Sequence, residues 1–355
     1  MRAAAGGGRR RSHPPLGIGG RRLGRMSDEE ILGLRLCDLT LTIKGSLVEK
    51  CIERLDAELA MRGVAFRPHF WISDEFFSPD GVPGIAVPFY LVHPRLARLE
   101  KVQMLEVEGG TPDWCMRILR HEAGHALDSA HRLRRKKQWR EIFGPSSAPY
   151  PSYYSPRPRS RNFVLHLDWW YAQSHPLEDF AETFAVWMKP GYPWRARYRD
   201  WPALRKLEYV DRLMKEIRHQ PAPVTKKTEV DPISKLHKTL RRHYKDRRDR
   251  YGAELPDVYD RDLRRLFSDQ PDHAHNESAA RFLFRKRKVI RDDVSKWTGQ
   301  HAYTIDLVLR EMMARSRSLD LRVAREEQEL QMGVVLIVTV QVMNFLHSGH
   351  HRIAL

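Results

Sequence analysis

Two histidines four residues apart, His121 and His125, sit in a stretch whose pattern predicts a partly buried helix. Thr111 offers a cap, Pro112 suits the first helical position, and Asp113 supplies an acidic first turn. Trp114, Ile118, Leu119, Ala126 and Leu127 then recur at helical spacing, which gives the helix an apolar side. On such a helix His121 and His125 project from one face, a single turn apart. Burying two imidazoles and the carboxylate of Glu122 leaves polar groups that need partners, and one metal ion held by both rings is the economical solution. Glu122 follows the first histidine, where its carboxylate can reach a water on the same ion. The fold must therefore bring a further ligand from elsewhere to this face.

Two places offer that ligand. The nearer is His131, in the run H-E-A-G-H-A-L-D-S-A-H. A chain that turned back sharply after His125 could present it, but Asp128 stands where a glycine would ease the turn. If the helix simply continues, His131 lies about 9 Å further along and on another face. The second place is His175 to Pro190, where Pro176 suits a helix start and Pro190-Gly191 an end. Here Glu178 and Glu182 are four apart and share a face, while Phe180, Phe184 and Trp187 form a separate apolar stripe. One carboxylate of such a pair can bind the metal while the other orients a histidine, as in gluzincin sites. Asp179 competes with Glu182 for the orienting role, although it points roughly 100° away from Glu178.

The two segments together, His-Glu-x-Gly-His-Ala-x-Asp (121–128) and Glu-x-Phe-Ala-Glu-x-Phe (178–184), resemble the zinc-binding metallopeptidases of bacteria. They are also similar to the catalytic domain of anthrax lethal factor. The resemblance covers roughly residues 110–190. It implies one Zn2+ per chain, held by His121, His125 and Glu178, with Glu122 as general base. It further implies that Tyr171, seven residues before Glu178, steadies a developing oxyanion. The implied fold is α+β and zincin-like, and the implied substrate is a peptide or protein. Two other readings stay open: hydrolysis of a non-peptide amide, and a basic, nucleic-acid-associated protein whose zinc site is structural or vestigial.

The rest of the chain sets bounds. Its 355 residues have room for two domains. Cys37, Cys51 and Cys115 are odd in number and lack a C-x-x-C, which argues against a disulfide scaffold or a thiolate zinc site. A reducing, cytoplasmic setting is expected, with Cys115 a small buried residue. Residues 1–25 carry seven Arg and no acid, and lack the apolar stretch of a signal peptide; they are expected to be a disordered tail, with Met26 a plausible true start. Ser27 should cap a helix with an acidic first turn. Of the net charge of +17, residues 1–25 contribute +7 and residues 218–355 contribute +8, so the region holding the motifs is nearly neutral.

The expected organisation is a zincin-like catalytic domain over 26–217, a linker over 218–232, and a basic, mainly helical domain over 233–355. Within the first, Leu34–Ile43 and Ala65–Ser73 read as strands and Ser46–Arg62 as an amphipathic helix. Ile85–Val92, with Pro88 inside it, reads as an edge strand beside the metal helix. Such an edge could take a substrate as an added strand. Residues 142–162 form a long Pro/Ser/Tyr-rich loop between the motifs, of the kind used as lids. The basic clusters Lys235–Arg250 and Arg285–Lys288 could contact a polyanion, although interspersed acids favour a solvated helical surface. Met332–Leu346 is apolar but too short to span a bilayer, and is expected to be a core element.

Overall fold

A computed structural model of the chain describes residues 20–151, 153, 154, 157, 160–251, 259–347, 353 and 354. Its sequence-encoded helices form where their caps predict. Helix α1 (Leu47–Met61) starts at Ser46, whose hydroxyl accepts from the Glu49 amide, and it buries Val48, Cys51, Leu55 and Leu59. Helix α2 (Pro94–Met104) follows the cap His93. Helix α3 (Pro112–His131) begins at Thr111, whose hydroxyl accepts from the Trp114 amide, and ends at Arg132 in the left-handed conformation. Helix α4 (Pro176–Met188) is capped by His175 and buried along nearly its whole length. Helix α5 (Ala203–Ile217) packs against α4. Ser27 and Glu30 form a reciprocal capping box on the short helix Asp28–Gly33.

Helix α3 is part of the first hydrophobic core and packs against both α1 and α4. A buried bidentate ion pair ties α1 to α3: Arg120 donates to both carboxylate oxygens of Glu58, at 2.6 and 2.7 Å. Both residues are almost fully buried, and the pair fixes the helix one position before His121. The approach of α3 to α4 depends on Gly124. A Cβ built there would lie 2.9 Å from the Ala181 Cα, too close for any other residue to fit without movement.

The β structure is smaller than the α+β expectation. Strand β1 (His69–Ser73) pairs in parallel with β2 (Gly84–Pro88), with Phe70 opposite Ile85 and Ile72 opposite Val87. A second pair joins two residues at Tyr153–Tyr154 to two at Ile353–Ala354, antiparallel. The expected strand over Leu34–Ile43 does not form. Leu36–Asp38 is a 3-10 turn, and Arg35 closes it by pairing with Asp38. The leucines at 36 and 39 are buried, but their three-residue spacing serves a turn as well as a strand serves period two. The expected edge strand over 85–92 is shorter, Gly84–Pro88, and one isolated bridge flanks it. The chain after β1 crosses to the far side of β2, where the Ala86 amide donates to the Phe77 carbonyl at 2.8 Å. All five residues of β2 are buried, and at Phe89 the chain turns into a 3-10 helix. Helix α3 packs against β2, and from the strip on the far side of β2 the Ser78 amide reaches Glu122.

Leu23, inside the stretch read as a basic tail, is fully buried in the first core, and Gly20–Leu23 forms a helical turn. Residues 1–19 lie outside the described residues. The stretch read as a linker is pinned to the domain: Trp71 donates to the Val230 carbonyl at 2.8 Å, and Ser73 to that of Asp231 at 2.7 Å. Helix α6 (Leu240–Tyr251) places Leu240 and Tyr244 in the first core as well. The second core runs from Leu263 to Val342. It is built by the short helix Tyr259–Leu266, α7 (Ala279–Thr298), α8 (Ala302–Ser318) and α9 (Glu327–His347). Helix α9 takes up the apolar run over 332–346 and buries Leu330, Val334, Val338 and Val342 on one face. No helix among the described residues is long and apolar enough to cross a membrane.

Candidate metal centre

Helices α3 and α4 meet face to face at His121, His125 and Glu178. The His121 Nε2 and His125 Nε2 atoms are 3.1 Å apart, and Glu178 Oε2 lies 3.0 Å from the first and 3.1 Å from the second. A tetrahedral zinc with ligands at about 2.0–2.2 Å separates them by about 3.3–3.5 Å, so these three donor atoms stand near coordination spacing. One donor atom from each residue lies within 4.8 Å of the other two, as a shared metal ion requires. His121 and Glu178 are buried; His125 is partly open.

Glu182 decides how His121 is presented. Its Oε1 lies 2.8 Å from His121 Nδ1, and its Oε2 accepts from the Leu167 amide at 2.9 Å. With Nδ1–H donating to this carboxylate, the Nε2 lone pair is the one directed at Glu178 and His125. The centre favours positive charge. Burial alone would depress the His121 pKa, but the Glu178 and Glu182 carboxylates outweigh it and hold the imidazole well above its ordinary range. Burial would raise Glu178, yet the two imidazoles hold it well below the usual carboxylate range. A divalent cation satisfies the same field without the imidazolium proton, so the donor set fits zinc.

Glu122 lies next to this group. Burial above all pushes its carboxyl up, the two imidazoles pull it back, and the Ser78 amide stabilises its ionised form. Tyr171 reaches the centre from the 3-10 helix Asp168–Gln173, its ring 5.5 Å from that of His121. Trp170, just before it, adopts a left-handed backbone (φ 55°), a conformation uncommon for a bulky side chain. Burial, and then Glu178 and Glu122, push the Tyr171 phenol well above its ordinary pKa, so it is a proton-bearing donor.

Two other candidates lie elsewhere. Asp179 faces away from the centre and pairs with Lys206 at 2.6 Å; burial pushes its carboxyl up to about 7. His131 is the last residue of α3, and its ring packs edge-on against Phe66. Asp128 stays helical and bonds Arg134 instead of opening a turn.

Sequence reasoning missed the tyrosines of the 142–162 loop. Tyr150 donates to Glu178 Oε1 at 2.6 Å, and the ring of Tyr154 packs on Tyr171. Nothing in their spacing signals this, because loop residues carry no period; only the length of the segment between the motifs was suggestive.

Residues 116–190 match a family profile described as "Putative zinc-binding metallo-peptidase". The match takes in 75 of the 355 residues, including both motif helices and the loop between them. No curated protein and no solved structure matches the chain.

Proposed function

We propose that the chain is a zinc-dependent metallopeptidase of gluzincin type, with one zinc held by His121, His125 and Glu178. The observation that carries this reading is the meeting of three donor atoms from two helices, with a buried carboxylate beside them. Three protein ligands suit a catalytic site, because structural zinc normally takes four. Zinc bound there supplies Lewis acidity and lowers the pKa of water toward neutrality.

The chain's own residues supply the rest. Glu122 takes a proton from the attacking water and returns it to the leaving amine, as a base and then an acid. Tyr171 donates a hydrogen bond to the oxygen that gains charge at the attacked carbonyl. Glu182 keeps His121 in the tautomer that leaves Nε2 free. Substrate is a peptide or protein lying between the Phe76–Pro79 segment and the loop that follows Gly144. The free thiols of Cys37, Cys51 and Cys115 support a reducing, cytoplasmic setting.

The test combines metal analysis with cleavage of a peptide library. Purified chain should carry about one zinc. Glu122→Gln should keep that zinc and lose cleavage by about 10²–10⁴-fold. Glu178→Ala should lose the metal, whereas His131→Ala should retain it. Metal loss in His131→Ala alone would overturn the ligand set.

A further inference from the structure

We propose that Tyr150 is a positioning residue for Glu178, delivered by an arm of chain (144–150) that is latched to the start of α4. The inference rests on the metal-site reading above. Glu178 directs Oε2 at both histidines, which leaves Oε1 as the atom that decides how its carboxylate is turned. That atom accepts the Tyr150 hydroxyl at 2.6 Å. A carboxylate without such a bond can rotate between binding through one oxygen and through two, or swing aside. One hydrogen bond to the second oxygen selects a single orientation.

The arm is held at several points. The Tyr150 ring stacks on the His175 ring, with centroids 3.9 Å apart and planes 17° from parallel. His175 Nδ1 accepts from the Leu177 amide at 3.1 Å, so its Nε2 carries the proton and donates to the Ala148 carbonyl at 2.9 Å. One buried imidazole thus caps the helix that carries Glu178 and anchors the arm that carries Tyr150. The arm begins at Gly144, whose φ of 108° favours glycine and which lies against Pro176. Tyr150 remains 49% exposed, so its ring stands at the rim of the centre, where its removal should cost little folding energy.

The experiment titrates zinc into the full chain against a chromophoric chelator, for wild type, Tyr150→Phe and Glu178→Ala. Phenylalanine keeps the ring on His175, and the thermal midpoint of the metal-free variant should match wild type. Zinc affinity of Tyr150→Phe should fall about 10–100-fold. With cobalt(II) in place of zinc, its visible absorption should change in intensity, because the freed carboxylate can chelate through both oxygens; a residue that only stabilises the loop would leave that band alone. Wild-type affinity together with a wild-type cobalt band in Tyr150→Phe overturns this inference while the metal site stands. Absence of zinc binding by wild type, or unaltered binding by Glu178→Ala, overturns the metal-site reading itself.

Discussion

At the scale of the residue, the centre is a competition between protons and a cation for the same donors. In the metal-free chain His121 holds its proton above the ordinary histidine range, because the Glu178 and Glu182 carboxylates outweigh its burial. On the proposed reading, zinc binds the neutral imidazole and must displace that proton. Zinc affinity should therefore rise with pH, and the decline on acidification should begin above about pH 6.5, the value for an unperturbed imidazole. Titration calorimetry in buffers of different ionisation enthalpy would show net proton release on binding near neutrality. Binding with no proton release at that pH would contradict the charge balance described for the centre. Glu122 belongs to the same field, since its proton affinity in the free chain should drop once a cation sits beside it.

Between elements, the geometry of the site is set by how near α3 can come to α4. Gly124 permits the approach, and the two histidines of the candidate centre lie close to it in the chain, His121 three residues before and His125 immediately after. Gly124→Ala places a methyl group against the Ala181 backbone, so one helix must shift. Overpacking of this kind costs about 1–3 kcal/mol, partly offset by alanine's better helix propensity. The shift should separate Glu178 from the two histidines. We expect lower thermal stability together with weaker zinc binding in this variant. Unchanged zinc affinity would show that the ligands can follow the displaced helix. The buried Arg120–Glu58 pair also ties α3 to α1 one residue before His121, and so helps to hold the helix in register.

At the scale of the whole molecule, the charge excess is distributed through ion pairs. Arg242 and Lys245 of α6 pair with Asp246 and Asp249, and Arg285 and Lys286 of α7 both pair with Glu327. These pairs lower the charge that the two basic clusters offer to a polyanion. A buried connection also runs from α6 to α2, where Arg247 donates to Glu100 at 2.5 Å. Nearby, His301, the residue before α8, bonds Glu106 at 2.7 Å, just after α2. Burial pushes the Glu100 carboxyl up to about 7, from 4.5 for an exposed glutamate. The folded chain therefore retains a proton that the unfolded chain has released. This group's contribution is full below about pH 4.5 and is lost as pH rises toward 7. Urea midpoints at pH 5 and pH 7.5 should differ less for Glu100→Gln than for wild type, and an undiminished difference would count against this residue as the source.

The caps and periods of α3 and α4 are local properties of the chain, and both helices begin where Thr111 and Pro176 predict. His121 with His125, and Glu178 with Glu182, could be named for the same reason, because a spacing of four places two residues on one helical face, and Glu122 could be named as the carboxylate that follows the first histidine. The β structure was less legible. Leucines at 34, 36, 39 and 41 serve a turn as readily as a strand, and the neighbour of β2 is chosen by a chain crossing that no short pattern records. Spacing favoured Glu178 over His131 and Glu182 over Asp179 without showing which helices meet. Packing places these residues: α3 continues unbroken through Asp128, Gly124 admits α4, and Lys206 engages Asp179. Tyr150 was beyond reach, because only the folded loop brings its hydroxyl to Glu178. Helical period determines which side chains share a face; which faces meet depends on contacts between residues about 50 positions apart, and those exist only in the tertiary structure.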